Sequence, residues 1–104
     1  MHTFHVQIIR FVDDSQPGWV ECALTDAEGV SHHFLEKVPV VSTAHLDART
    51  QYPQQGTARC VVLHEDTTAG TATIDTNAID GIESNNGQHV FTVPLSHLRA
   101  VAPP

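Results

Sequence analysis

Histidine is the residue type of this sequence that could do the most chemistry. The 104-residue chain carries eight histidines, adjacent at His32 and His33 and otherwise dispersed. An imidazole can bind a metal or move protons near neutral pH, but a zinc site needs three or four converging ligands. Neighbouring strand residues point to opposite faces, so His32 and His33 cannot share a metal without a bulge. We therefore expect no metal site and no cofactor.

His32 is the exception to follow, because the strand register predicted below places it beside Leu24 on an apolar face. A partly buried imidazole needs a hydrogen-bond partner, and Glu36 on the same face is one candidate. Together His32 and Glu36 could bind a small ligand, or do acid–base chemistry, at the mouth of a barrel. Such pairs more often form structural hydrogen bonds, which is the preferred interpretation.

Nucleophilic and phosphate-binding motifs do not occur in the sequence. Ser84 lies in IESNNG rather than in a GxSxG elbow, and no glycines form a phosphate loop. Cys22 and Cys60 lie in alternating apolar segments without CxxC spacing, a pattern typical of buried free thiols. No catalytic residue is predicted. Whether the protein is an enzyme stays open, and the absence of enzymatic activity is favoured.

Composition disfavours several classes of protein. The chain is 40% hydrophobic and 16% charged, which is too apolar for a disordered segment, and no apolar run approaches the length of a membrane span. No signal peptide is recognisable, so we expect a cytoplasmic protein. The formal charge of −7 disfavours nucleic acid and fits a basic or neutral protein partner. The oligomeric state is left open.

Alternating apolar residues predict the elements that must position these side chains. On the first strand, Phe4, Val6, Ile8 and Val12 are expected on one side, with Ile9 and Phe11 on the other. Asp26-Ala27-Glu28-Gly29 predicts a type I turn with Gly29 left-handed in a G1 bulge. This register pairs Leu24 with His32 and Cys22 with Phe34. The predicted strands span residues 3–12, 19–25, 30–38, 57–64, 71–76 and 88–93.

Three segments lack clear alternation. Pro39 is expected at an edge or bend, and Ser42 or Thr43 could cap a short helix near 43–50, unless that segment is irregular. Residues 94–101 could form a helical turn or an extended tail, and Ala102-Pro103-Pro104 is expected to fray. We predict an all-β domain spanning 1–104, a small six-stranded barrel of OB-like or SH3-like size, with a sandwich as the second choice.

The same register sends Trp19, Glu21, Leu35 and Lys37 to the face opposite the predicted core. The segment from Pro94 to Val101 is expected to cover Trp19 and Leu35, the alternative being an exposed patch for a partner. The favoured function is a non-catalytic acidic module that binds a protein, for example a bacterial antidote or adaptor. The alternative is a small enzyme or ligand-binding barrel using His32 and Glu36.

Overall fold

An antiparallel sheet curled into a half-barrel forms the body of the protein in a computed structural model that describes residues 1–101. The strands are β1 (His2–Asp13), β2 (Trp19–Thr25), β3 (Ser31–Lys37), β4 (Gln54–Asp66), β5 (Thr71–Asp75), β6 (Val90–Pro94) and β7 (Leu98–Ala100). They follow the spatial order β3-β2-β1-β4-β5-β6, and the short β7 pairs with the start of β1. The small all-β barrel class predicted from alternation is confirmed.

Two backbone hydrogen bonds tie the outer strands of the sheet together. The Ala27 N–H, in the β2–β3 turn, donates to the Thr92 carbonyl of β6 at 2.8 Å. The Asn85 N–H, in the β5–β6 connection, donates to the His33 carbonyl of β3 at 2.8 Å. These bonds satisfy part of the hydrogen-bonding capacity that a strand edge otherwise exposes.

The β2–β3 hairpin has the register predicted from its turn. Leu24 pairs with His32 and Cys22 with Phe34, and Gly29 has a φ of 83°. The Asp26 side chain fixes this turn, because its Oδ1 accepts the backbone N–H groups of residues 28 and 30 at 2.9 and 3.0 Å. The alternation on both strands therefore separates one inner face from one outer face.

The far half of β1 departs from the predicted alternation. The pairing with β2 is irregular between Ile8 and Arg10, and again between Phe11 and Asp13. Each irregularity moves the following side chains to the other face, as a bulge does. Phe11 consequently packs against the core and Val12 is exposed, so the predicted sides of these two residues were wrong.

The short helices lie outside the segment in which one was predicted. Helix α1 (Val38–Val41) follows β3 directly, with Pro39 in its first turn, where a missing N–H costs nothing. The segment 42–53 is irregular, so of the two alternatives for residues 43–50 the short helix was wrong and the irregular segment is what forms. Helix α2 (Asn77–Asp80) follows β5. Residues 94–101 contain a 3-10 turn (Leu95–His97) and β7, which the alternation did not predict as a strand.

The inner face of the sheet is filled by side chains from every long strand. Phe4, Val6 and Ile8 of β1 are at most 1% exposed. Cys22 and Cys60 are buried free thiols, as predicted, and burial raises their pKa values to about 12 and about 11. Gly56 is required by close packing, since a Cβ there would lie 2.7 Å from the Val41 carbonyl oxygen.

No helix in residues 1–101 is long and apolar enough to cross a membrane. The predicted fraying of Ala102-Pro103-Pro104 lies outside the described residues.

Candidate functional site

The candidate site is the outer face of the β2–β3 hairpin, defined by Trp19, Glu21, Leu35 and Lys37. Trp19 pairs with Lys37 and Glu21 with Leu35, so the four residues form a two-by-two block. Leu35 is 50% exposed, whereas Trp19 is half-buried. The structure therefore brings these four residues together, with the two apolar side chains diagonal to each other.

Ion pairs hold the polar part of this outer face in place. Arg10 contacts Glu21 Oε1 at 2.9 Å through Nη2, and His33 Nδ1 lies 3.0 Å from Glu21 Oε2. The hydrogen bond with His33, assisted by Arg10, lowers the pKa of Glu21 below its ordinary value, against the opposing effect of burial. Glu21 therefore stays ionised near neutral pH with both oxygens occupied.

Lys37 and Asp13 flank the tryptophan on the neighbouring strands. The Lys37 Nζ lies 5.7 Å from the centre of the Trp19 ring, within cation–π range. Asp13 pairs with Trp19 on the other side. Trp19 is thus flanked by one positive and one negative residue, and its indole is a partly accessible apolar surface between them.

Residues 94–101 do not cover Trp19, which corrects the expectation that this segment would do so. β7 pairs with His2, Thr3 and Phe4, at the start of β1. Trp19 pairs with Asp13, at the opposite end of the same strand. Twelve residues of strand extend far more than the reach of a single side chain. Through Val101, the described chain leaves Leu35 open to solvent.

The inner face gives His32 a partner other than the one predicted. His32 Nε2 lies 2.7 Å from Asp26 Oδ2, and its ring packs 4.8 Å from that of Phe91. Burial alone would raise the pKa of Asp26, but the hydrogen bonds from His32 and the turn amides together lower it. Glu36 instead accepts the Lys37 backbone N–H. The structure thus does not join His32 and Glu36 in one pair.

The space beside His32 holds little more than a water molecule. Its volume is about 10 Å³, close to the minimum for one water. Its lining is mostly apolar and includes Phe34 and Phe91 beside the Thr76 and Ser84 hydroxyls. A ligand-binding barrel needs a deep pocket with converging polar groups. The space beside His32 is too small to be such a pocket.

The remaining histidines do not assemble a metal centre in the described part of the chain. His89 lies 3.0 Å from Asp75, and His45 lies 3.6 Å from Asp47. Within residues 1–101, no three His, Cys, Asp or Glu side chains are grouped so that they could hold an ion.

Two contributors to these sites were missed from the sequence. Arg10 reaches Glu21 because of the β1 irregularity, which simple alternation does not reveal. Asp26 was assigned only a turn role, although its second oxygen binds His32. The sequence did contain a signal for this contact. Asp26 begins the turn and His32 lies at the start of the strand that follows it, so the two side chains are close in any tight hairpin.

Comparisons with protein-family models, with curated proteins and with solved structures find no match for this chain. The functional argument therefore depends on the geometry alone.

Proposed function

We propose that the protein is a non-catalytic binding module that contacts a protein partner through the outer face of the β2–β3 hairpin. One observation carries the proposal: Leu35 is half exposed beside Trp19, the single tryptophan of the chain, with charged side chains fixed around them. Tryptophan is enriched among residues that dominate binding energy, and such residues are commonly surrounded by polar groups that exclude water.

The charges of the chain favour a basic partner. The net formal charge of −7 raises the encounter rate with a positively charged surface and disfavours nucleic acid. Close to the site, Glu21 is already paired with Arg10 and hydrogen-bonded to His33, so the long-range field and the local contacts have separate roles. An antidote or adaptor acting in the cytoplasm is the concrete form of this proposal.

A small-ligand or catalytic function at His32 and Glu36 has less support. His32 is engaged with Asp26, and the adjoining space is about 10 Å³. A substrate could enter only if the packed inner face opened, which costs the contacts that hold the fold together.

The experiment compares two substitutions, each of which removes an exposed aliphatic side chain, on different strands of the sheet. Leu35→Ser alters the proposed site, and Val90→Ser alters β6, where Val90 is 39% exposed. Tagged wild-type protein, Leu35→Ser and Val90→Ser are expressed in the native cells, and the captured proteins are identified by mass spectrometry. The partner is then purified and its dissociation constant is measured for each variant.

We expect Leu35→Ser to weaken binding at least about ten-fold, the loss typical of a residue near the centre of an interface. Val90→Ser should bind like wild type, and both variants should keep the wild-type free energy of unfolding within about 0.5 kcal/mol. Equal loss in both variants, or loss only in Val90→Ser, would contradict the proposed site.

A further inference from the structure

A second outer surface, at the start of β1, has a different chemistry. Two grooves of about 260 and about 160 Å³ meet there and share His5 and Thr57 in their linings. The His5 and His97 rings lie edge to face, with centres 5.8 Å apart. Arg99 of β7 lines the smaller groove beside His97. We define the cationic groove as His5, His97 and Arg99.

The cationic groove owes its position to the sheet register. Thr3 pairs with Arg99 on one side and with Arg59 on the other, and His5 pairs with Thr57. Because directly paired residues share a face, all these side chains rise from the same side of the sheet. The 3-10 turn before β7 then brings His97 and Ser96 to the edge of the groove.

Carboxylates do not line either groove in the described residues, although the chain is strongly acidic overall. Arg59 is held by Asp80 at 2.6 Å, and Arg10 is held by Glu21. Arg99 has no carboxylate within 4.0 Å in residues 1–101. The groove therefore combines a guanidinium, two imidazoles and several hydroxyls, and no carboxylate of residues 1–101 lines it.

The charged form of His5 is disfavoured in the groove. Burial, and then the proximity of His97, lower the pKa of His5. An anion bound in the groove beside both rings would offset the repulsion from His97 and accept hydrogen bonds from both rings. Arginine adds a planar donor fork suited to phosphate, and Thr3, Thr57 and Ser96 supply hydroxyl donors around it.

We propose that the cationic groove binds a phosphate dianion, either inorganic phosphate or the terminal group of a phosphomonoester. The tetrahedral anion accepts hydrogen bonds from the Arg99 guanidinium and from the imidazolium forms of His5 and His97. This site is separate from the outer face of the β2–β3 hairpin, which lies toward the other end of β1, and does not depend on the protein-binding proposal.

The test follows the imidazole Cε1–H signals of the whole chain by NMR during titration with inorganic phosphate. Samples are kept near pH 6.5, where imidazoles titrate, at constant ionic strength and with EDTA present. His5→Gln and His97→Gln each remove one signal and so assign it. A parallel titration uses glycerol 3-phosphate, a simple phosphomonoester. The two ligands are compared by the concentration of their dianions, because a phosphomonoester loses its second proton at a lower pH than inorganic phosphate.

The His5 and His97 signals should move together along one saturable curve, while those of the exposed His45 and His64 stay in place. Binding should raise the pKa of His5. Arg99→Gln should weaken binding about five-fold or more, whereas Arg49→Gln, with the same charge change in the irregular segment, should not. Tighter binding of glycerol 3-phosphate would identify a phosphomonoester as the ligand, and equal or weaker binding would identify free phosphate.

Three results would overturn this inference. The first is no saturable shift up to about 50 mM phosphate at fixed ionic strength. The second is a uniform shift of all histidines, including His45 and His64, which indicates general ion binding. The third is equal weakening by Arg99→Gln and Arg49→Gln.

Discussion

The two faces of the β2–β3 hairpin are made by alternate residues of the same strands, yet they differ in nearly every physical property. On the inner face, Cys22 and Phe34 are 0% and 3% exposed and pack into the common core. On the outer face, Leu35 is 50% exposed and Glu21 forms ion pairs at the surface. Neighbouring positions on one strand, such as Phe34 and Leu35, therefore differ in whether their side chains are buried or accessible to solvent.

This difference implies that stability and recognition are carried by different residues of one element. Removing an inner side chain leaves a cavity, and its cost appears as lost free energy of unfolding. Removing an outer side chain leaves solvent in its place, and its cost appears mainly when a partner binds. Substitutions on the two faces should therefore separate the two effects.

The largest expected effect is that of Phe34→Ala, because Phe34 is almost fully buried. We expect a loss of about 3–5 kcal/mol in the free energy of unfolding, from lost burial and the cavity left behind. Leu35→Ala, at the next position, should cost under about 0.5 kcal/mol. Urea unfolding measures both. Similar losses for the two variants would show that the hairpin does not divide into an inner and an outer face.

A smaller loss in the free energy of unfolding is expected from Gly29→Val, which alters the turn that sets the register. Gly29 has a φ of 83°, and a Cβ there would meet no atom within 4 Å. The cost is therefore conformational, about 1 kcal/mol or more for a β-branched residue at positive φ. Gly29→Asn, which tolerates this conformation better, serves as the control. An unchanged urea midpoint for Gly29→Val would contradict the left-handed turn.

A still smaller effect than that of Gly29→Val is expected from Glu21→Gln, and it depends on pH. The folded state lowers the pKa of Glu21 below its ordinary value of 4.5. Its contribution is therefore fully present above that ordinary value and is lost as pH falls through the lower folded value. At neutral pH we expect a deficit below about 1 kcal/mol relative to wild type.

The deficit should shrink as pH falls below the ordinary carboxyl pKa, when wild-type Glu21 also becomes neutral. Urea unfolding at a series of pH values follows this change, with Glu28→Gln, in the exposed β2–β3 turn, as the matched control. A deficit that stays constant down to the lowest pH would mean that the ion pairs of Glu21 do not stabilise the fold.

Most of the hairpin was predictable because its turn chemistry and its alternation agree. Asp26 and Gly29 fix the turn, and the turn fixes every pairing from Trp19–Lys37 to Thr25–Ser31. The composition of the candidate face follows from that register. Local signals that support each other at several positions are the ones that sequence analysis reads best.

The remaining features depend on contacts that are distant in the chain. The irregularity after Ile8 of β1 is set by pairing with β2, and no residue type in β1 predicts it. β7 is only three residues long and exists because β1 offers it an edge. His32 could not be assigned to Asp26 from alternation, because Asp26 lies in the turn rather than on a strand face.

The central claim, that Trp19 lies at a protein-binding surface, can be tested directly because the chain has one tryptophan. The protein is produced with 5-fluorotryptophan, which gives a single fluorine NMR signal that an unlabelled partner cannot obscure. Purified partner is added while size-exclusion chromatography confirms that the complex forms. The account predicts that the signal shifts or broadens in proportion to the complexed fraction. An unchanged signal with the complex fully formed would place the binding surface elsewhere.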